Sequence, residues 1–516
     1  MEIGNQPVAR IDELAQAWAL TAPDRPALVE GGETWTYRQL EAAIVQAAAW
    51  LRKLGVRPGD RVLLVAENCR AYVALLFATA RLDAWPVLVN ARLSASEIEV
   101  IRAHAEARRV VITAGATPRA AAQARQLGAA TADAGMLGTL AVTPIHEAAS
   151  PEALEAIPAE RVAAVLYTSG TTGRPRGVML THRGLLFAAR AAAEIRAFTP
   201  ADRLLGVLPM THSSGVSLVL LAALTGGAAV HLSHRFDPVS LLRALEEQGL
   251  TVFIGAPAMF AQLLDYAKFR SLPPPRLPAL RLVSSCSSPL FPPVKSGMEQ
   301  LFGQVLHNGY GITECSPGIA ATRINEPRSD LSVGRPYPGL ELKLVASNGQ
   351  PAAPSEAGEL WLRGPNVMKG YYRAADETAA VLDGNGWFKT GDLVKIADGN
   401  LFLLGRTKEL IIRFGFNVYP SEIEELLESH PDVERAAVIG QRVSDVEGGE
   451  KIIAFVCLSL GASASPAELR AFLDARLTHY KRPSEILPIS EWPLTPTGKI
   501  KKDELARLLL DQPATA

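Results

Sequence analysis

The residues able to do chemistry in this 516-residue chain fall into five short stretches. The first, residues 167–181 (YTSGTTGRPRGVMLT), crowds glycines and small hydroxyl side chains together. Gly170, Gly173 and Gly177 let a backbone come close to a ligand. Thr168, Ser169, Thr171 and Thr172 add hydroxyl donors, and Arg174 and Arg176 add positive charge. A strand over residues 162–167 and a helix over 182–196 flank the stretch. A strand, a small-residue loop and a helix together present backbone N–H groups to phosphate oxygens. The spacing is not GxxxxGK(S/T), and a flexible linker would not carry Arg-Pro-Arg between a strand and a helix.

The second stretch, Tyr310-Gly311-Ile312-Thr313-Glu314, places an aromatic ring, a hydroxyl and a carboxylate within five residues. These could stack on a base, donate to a phosphate and hold Mg2+. The third, residues 387–392 (WFKTGD), sets Asp392 just after a glycine turn, where a carboxylate can accept from two ribose hydroxyls; alone it would read as a turn aspartate. The fourth, Gly405-Arg406-Thr407-Lys408 followed by residues 414–417 (FGFN), sits where the sequence texture changes and by itself reads as a hairpin and linker. The fifth, residues 495–499 (TPTGK), puts Lys499 on a tight turn near the end, with Lys501 and Lys502 reading as solvated neighbours.

The elements that must position these stretches alternate. Helices are expected over residues 11–18, 36–54, 71–82 and 94–104, the last capped by Ser94. Strands are expected over 61–65, 85–89 and 109–113. This βαβ rhythm predicts parallel sheets covered by helices. Residues 120–134, rich in Ala, Arg and Gln, read as a surface helix; 202–209, 228–232 and 251–255 read as strands; 280–285 runs into a second small-residue turn, SSCSSP. From Ser332 the pattern becomes short antiparallel strands with glycine turns. From Ser421 it becomes an α+β portion; this last part of the chain, about 110 residues, is long enough for its own core.

Composition bounds the class. Hydrophobic residues make up 48% and charged residues 20%, ordinary for a globular chain with a large core. The net charge of −1 creates no field favouring nucleic acid or an anionic membrane. Cys69, Cys286, Cys315 and Cys457 form no CxxC, which predicts a reducing compartment and no zinc site. The N-terminus lacks an apolar signal segment, and no apolar run reaches about 18 residues. Residues 215–224 (GVSLVLLAAL) read as a core helix. A cytoplasmic protein without stable membrane insertion is expected.

In this order the five stretches resemble the adenylate-forming superfamily of acyl-CoA ligases, luciferases and peptide-synthetase adenylation domains, in its acyl/aryl-CoA ligase branch. The resemblance runs from residues 34–41 (TWTYRQLE) to 498–505 (GKIKKDEL). It implies an α/β fold: residues 1–405 as a large N-terminal domain of two αβαβα sheets plus a small β-barrel, and residues 406–516 as a mobile α+β C-terminal domain, with a hinge near Lys408. It implies two-step chemistry with ATP, Mg2+ and coenzyme A: a carboxylate attacks the α-phosphorus, giving acyl-AMP and pyrophosphate, and a thiol then displaces AMP.

Carried onto this chain, the resemblance gives Thr168, Ser169, Gly170, Thr171, Thr172 and Gly173 to the β- and γ-phosphates, with Arg176 nearby. Ser287 and Ser288 line one face of adenine, Asn308 meets its edge, and Tyr310, with Gly311, its other face. Thr313 touches the α-phosphate and Glu314 holds Mg2+. Asp392, helped by Arg406, binds the ribose hydroxyls. Lys499 bridges the carboxylate and the α-phosphate, where negative charge spreads in the transition state. The chain departs from the family at Arg176, where a lysine is usual, and at residues 285–290, which read SCSSPL. Arginine keeps the charge with another geometry.

Residues 209–212 (PMTH) resemble the acyl-CoA ligase motif, so His212 would flank the acyl pocket and thiol tunnel; its alternative is a packed core histidine. Ser213, Gly309, Gly311 and Ser316 would lie near the acyl group, and Gly415 would let pantetheine pass. No aspartate for a substrate ammonium stands beside His212, and the chain carries no carrier-protein domain. A free carboxylic acid (aryl, short-chain or medium-chain) and coenzyme A are therefore the expected pair. A stand-alone adenylating enzyme that loads a carrier protein, and a non-catalytic homologue, are the alternatives. No nucleic-acid partner is expected, and a homodimer is compatible.

Overall fold

The computed structural model describes residues 2–3, 6–169, 175–346, 348–353, 356–413, 416–442, 450–459, 461–494 and 500–510. Two large sheets dominate. In the first, strands Val162–Ser169, Trp85–Asn90, Arg61–Ala66 and Arg109–Ile112 run parallel, and antiparallel strands extend both edges. Arg61–Ala66 is buried at every position, as the near-continuous apolar run of a strand covered on both faces requires. In the second, Leu306–Gly311, Leu282–Ser285, Val252–Gly255, Arg203–Gly206, Ala229–Leu232 and Pro26–Glu30 run parallel in that order. Gly318–Ala321 and Arg335–Pro336 add antiparallel strands beyond Leu306–Gly311.

Local signals set the helices between them. Thr36 and Gln39 form a reciprocal capping box at the start of Tyr37–Lys53, as do Ser94 and Glu97 at Ala95–Ala105. Helix His182–Ile195 starts where the Thr181 hydroxyl accepts from the Gly184 N–H at 3.1 Å. It buries Leu185, Leu186, Ala188, Ala189 and Ile195 against the turns Ser214–Leu221 and strand Gly318–Ala321. One continuous apolar core joins these elements to both sheets.

A four-stranded antiparallel sheet follows: Glu341–Val345, Gly358–Arg363, Phe388–Ala397 and Asn400–Arg406. Past it, Ile411, Val418, Ile423, Leu427, Val438, Ile452 and Leu469 close a separate core between helices Pro420–Glu428 and Pro466–Asp474 and the sheet of Val433–Arg442, Glu450–Leu458 and Glu485–Pro488. Among the described residues, no helix is long and apolar enough to cross a membrane.

Two elements differ from expectation. The phosphate stretch is not strand, loop, helix: Pro175–Thr181 is a strand, pairing antiparallel with Val162–Ser169 from Val162↔Thr181 to Ser169↔Pro175. Val178 and Leu180 alternate inward into the core, a period of two that the glycines had obscured. Ser169 and Pro175, which flank residues 170–174, are therefore paired strand residues, with no helix N-terminus between Pro175 and Thr181. Residues 120–134 split into helix Pro118–Gln126 and strand Ala130–Asp133, because Gly128 takes φ +62° and stops the helix. The apolar run at 215–224 is a buried core helix, with π-type winding over Ser214–Leu221.

Candidate functional site

Strand Leu306–Gly311 sets the geometry. Its pairing with Gly318–Ala321 shifts register between Tyr310 and Gly311. A Cβ on Gly311 would lie 1.5 Å from the Pro317 carbonyl oxygen, so only glycine allows this reversal. The chain then winds into the single turn Thr313–Cys315, which sets Thr313 and Glu314 beside the strand end.

Asp392 reaches the same place from strand Phe388–Ala397. The Tyr310 hydroxyl donates to its Oδ2 at 2.5 Å, and Arg406 Nε lies 3.2 Å from its Oδ1. Burial, reinforced by the charge of Asp392, raises the Tyr310 pKa well above the usual phenol value and keeps the hydroxyl a donor. The Asp392 N–H donates to Thr390 Oγ1 at 3.0 Å. The carboxylate is thus fixed from both sides. The turn Thr407–Glu409, where Lys408 sits, follows closely, and the Thr407 hydroxyl donates to the Gly391 carbonyl at 3.1 Å.

Thr313 Oγ1 and Ser213 Oγ lie 3.0 Å apart, which ties the PMTH segment to this turn. His212 lies just before the helix that starts at Ser214, and its Nδ1 accepts from the Ser214 N–H at 3.4 Å. A Cβ on Gly215 would lie 2.1 Å from the Pro209 carbonyl oxygen. The Glu314 carboxylate accepts from the Tyr371 hydroxyl at 2.9 Å. The Arg176 guanidinium stacks over the Tyr371 ring, 5.4 Å from its centroid, and pairs with Glu377. Glu314 is therefore linked to the base of the hairpin through one aromatic ring.

The turn after Leu282–Ser285 closes the other side. Ser287 has φ +76° and donates to Ser214 Oγ at 2.9 Å, with half-buried Ser288 next to it. Ser316 also has φ +63°. Two non-glycine residues in the left-handed region, both at this site, are the kind of strain that surrounding contacts must hold.

The other expected residues separate. The Asn308 amide donates to the Leu331 and Ser332 carbonyls at 3.3 and 3.4 Å, and its oxygen accepts from the Gly309 N–H; it braces a loop. The Ser316 hydroxyl turns away to the Asn366 carbonyl at 2.9 Å. Thr168 lies on the hairpin strand opposite Arg176, with Ser169 as that strand's last residue. Gly170, Thr171, Thr172, Gly173, Gly415 and Lys499 lie outside the described residues.

A cavity of about 10 Å³, room for about one water, lies beside Tyr310, lined by Gly309, Ser214, Cys286, Tyr337 and Arg196 among others. Sequence reasoning missed Tyr371, Tyr337 and Arg196. Tyr371 stands in the conspicuous KGYYR segment, but Arg196 closes an alanine-rich helix with no motif around it.

Among the described residues, no group of three or more His, Cys, Asp or Glu side chains could cage a metal ion. A lone, oriented carboxylate such as Glu314 suits Mg2+ carried mainly by phosphate oxygens and water.

A family model described as AMP-binding enzyme matches residues 15–372, and one described as AMP-binding enzyme C-terminal domain matches residues 422–499. The chain is 34% identical to a feruloyl-CoA synthase of Amycolatopsis, over 98% of both chains. It is 33% identical to the 2-succinylbenzoate–CoA ligase of Geobacillus kaustophilus, over 95% of this chain and 96% of that one. The ATP-bound structure of MatB from Rhodopseudomonas palustris superposes with a TM-score of 0.84 at 28% identity, covering 97% of this chain and 99% of that one.

Proposed function

Because the chain belongs to the AMP-binding enzyme family, we propose that the site at the end of strand Leu306–Gly311 joins a carboxylic acid to coenzyme A in two half-reactions. The protein is an AMP-forming acid–CoA ligase that uses ATP and coenzyme A, with Mg2+. In the first half-reaction a carboxylate oxygen attacks the α-phosphorus, and the acyl-phosphate anhydride bond forms as the bond to pyrophosphate breaks. In the second, the thiol sulfur attacks the acyl carbon, AMP leaves, and the thiol proton passes to solvent.

The observation that carries this reading is the convergence of Asp392, clamped by Tyr310 and Arg406, with Thr313 and Glu314 at one strand end. Asp392 accepts from the ribose hydroxyls while the Tyr310 ring and the Ser287–Ser288 turn hold adenine. Thr313, oriented by Ser213, donates to the α-phosphate. Residues 168–173, with Arg176 on the strand opposite Thr168, take the β- and γ-phosphates. Glu314, oriented by Tyr371, would hold Mg2+, which when bound neutralises phosphate charge. Lys499 stabilises the charge that develops as two anions meet. His212 and Gly309 border the acid; aryl, short-chain and medium-chain acids all fall within this reading.

Residues 406–516 then turn about Lys408, exchanging Lys499 for Gly415 at the site. A hinge absorbs such a change in a few dihedrals, and Gly415 leaves room for pantetheine. Lys499→Ala should lower acyl-AMP formation by about 10²–10³-fold, as loss of an oxyanion donor does, yet still convert supplied acyl-AMP. Gly415→Leu should do the reverse. Equal loss of both half-reactions in both variants rules out the exchange.

The functional test is a panel of carboxylic acids assayed for AMP release with and without coenzyme A. Coenzyme A-dependent thioester formation supports the ligase; acyl-AMP that coenzyme A does not discharge but a carrier protein does favours the loading enzyme. No AMP release with any acid refutes both.

A further inference from the structure

We propose that Arg196 binds a second carboxylate at the far end of the acid, so that the substrate is a dicarboxylic acid. This rests on the reading above that the acid lies beside strand Leu306–Gly311. Arg196 caps the C-terminal end of helix His182–Ile195 and is only 3% exposed. Its Nη1 donates to the Ala192 carbonyl at 3.4 Å, one turn back. Among the described residues, Nε and Nη2 have no acceptor and the guanidinium no ion pair. A buried cation is tolerated when it is paired and its donors are satisfied, and this one lacks both.

Arg196 borders the cavity beside Tyr310, which holds about one water as the side chains now stand, so a carboxylate enters as its walls part. Arg196 lines it together with Ser214, Gly309, Tyr310, Pro317 and Tyr337. A Cβ on Gly309 would lie 3.7 Å from Nη2, so the glycine leaves that flank of the guanidinium uncovered. Nε–H and Nη2–H form the side-on fork of an arginine, which matches the two oxygens of a carboxylate. The neighbouring acids are already engaged: Asp202 pairs with Arg281 at 2.7 Å, and Glu299 with Lys295 at 2.6 Å. His307 supplies no negative charge. Burial first, then the charges of Arg196 and Lys295, lower its pKa to about 4 and keep it neutral. The anion that completes the pocket therefore comes from the ligand. A monocarboxylate would leave the fork unpaired, which is how a polar pocket rejects an analogue lacking its partner group.

The test uses the full-length enzyme, AMP release with coenzyme A, and chain-matched pairs: succinate and butanoate, glutarate and pentanoate, adipate and hexanoate, isophthalate and benzoate. In at least one pair the diacid should exceed its monoacid in kcat/KM by about 10²-fold, the scale of a buried charge pair broken by removing one partner. Arg196→Met should erase that preference by lowering the diacid alone, without changing the KM for ATP, and Arg196→Lys should restore part of it. Should Arg196→Met fail to fold, Gly309→Ala crowds the same fork, its Cβ making ordinary contacts with Ala320 and Arg196, and the ratio is read there. Monoacids preferred in every pair, or a ratio unchanged by the substitution, overturns the inference and leaves the ligase reading standing. No AMP release with any acid overturns both.

Discussion

Replacing Asp392 by asparagine tests the nucleotide site at its most constrained point. The residue is 5% exposed, with one oxygen 2.5 Å from the Tyr310 hydroxyl and the other 3.2 Å from Arg406 Nε. Asparagine keeps the shape, removes the charge, and turns one acceptor into a donor facing Arg406 or Tyr310. A hydrogen bond to a charged group contributes about 1.5–3 kcal/mol. Two ribose hydroxyls would lose the charged acceptor, but the remaining amide oxygen still serves one, so the expected loss is about 2–3 kcal/mol. At about 1.4 kcal/mol per factor of ten, that is a roughly 30- to 150-fold weaker affinity for ATP. Calorimetric titration with MgATP and the KM for ATP in pyrophosphate exchange should agree, and thermal melting should confirm that the variant is folded. A folded variant whose ATP affinity stays within about twofold of the parent, well under the 1.4 kcal/mol of a tenfold change, would refute the ribose assignment. Asp392 would then be a structural clamp between the four-stranded sheet and strand Leu306–Gly311.

Further outcomes follow from the same geometry. Tyr371→Phe removes the 2.9 Å hydrogen bond that orients Glu314 and should raise the Mg2+ concentration for half-maximal pyrophosphate exchange by about tenfold, the scale of one charged hydrogen bond; an unchanged Mg2+ titration contradicts the coupling. Gly215→Ala must move a Cβ now 2.1 Å from the Pro209 carbonyl oxygen, so a loss of about 2–4 kcal/mol in stability is expected, and an unaltered melting temperature refutes the tight turn. Glu428 is held protonated, its pKa raised to about 8 chiefly by burial, while it accepts from the Ala436 N–H at 2.9 Å. Because the folded pKa lies above the unfolded value of 4.5, this group's stabilisation is complete below pH 4.5 and is lost as pH rises through 8. Glu428→Gln keeps the acceptor and should flatten that decline, so calorimetry at pH 5 and pH 8 should show a much larger gain at the higher pH.

Much was legible from sequence because it is local. The βαβ alternation, the cap at Ser94, the change of texture at Ser332 and the Tyr310–Glu314 stretch each depend on neighbours a few residues apart. Their backbone consequences follow from propensity and periodicity. The strand at residues 175–181 escapes a sequence reading because Gly177 and Arg176 hide an alternation that only the sheet beside it makes decisive: Val178 and Leu180 must enter a core, and Tyr371 must pair at the edge.

What the sequence determined alone is therefore the class of fold, the order of the motifs and the family they resemble. The tertiary structure decided which side chains act together. Tyr310 and Asp392 are 82 residues apart, Ser213 and Thr313 are 100, and Glu314 and Tyr371 are 57. It also decided which polar groups have partners. Asn308 and Ser316 sit in motif positions yet are bound to backbone carbonyls, whereas Arg196, in no motif, is buried with two donors unmatched among the described residues. The physical reason is that a motif specifies residue type and backbone path, while hydrogen-bond satisfaction is a property of everything packed around a group, and that packing exists only once distant segments have come together.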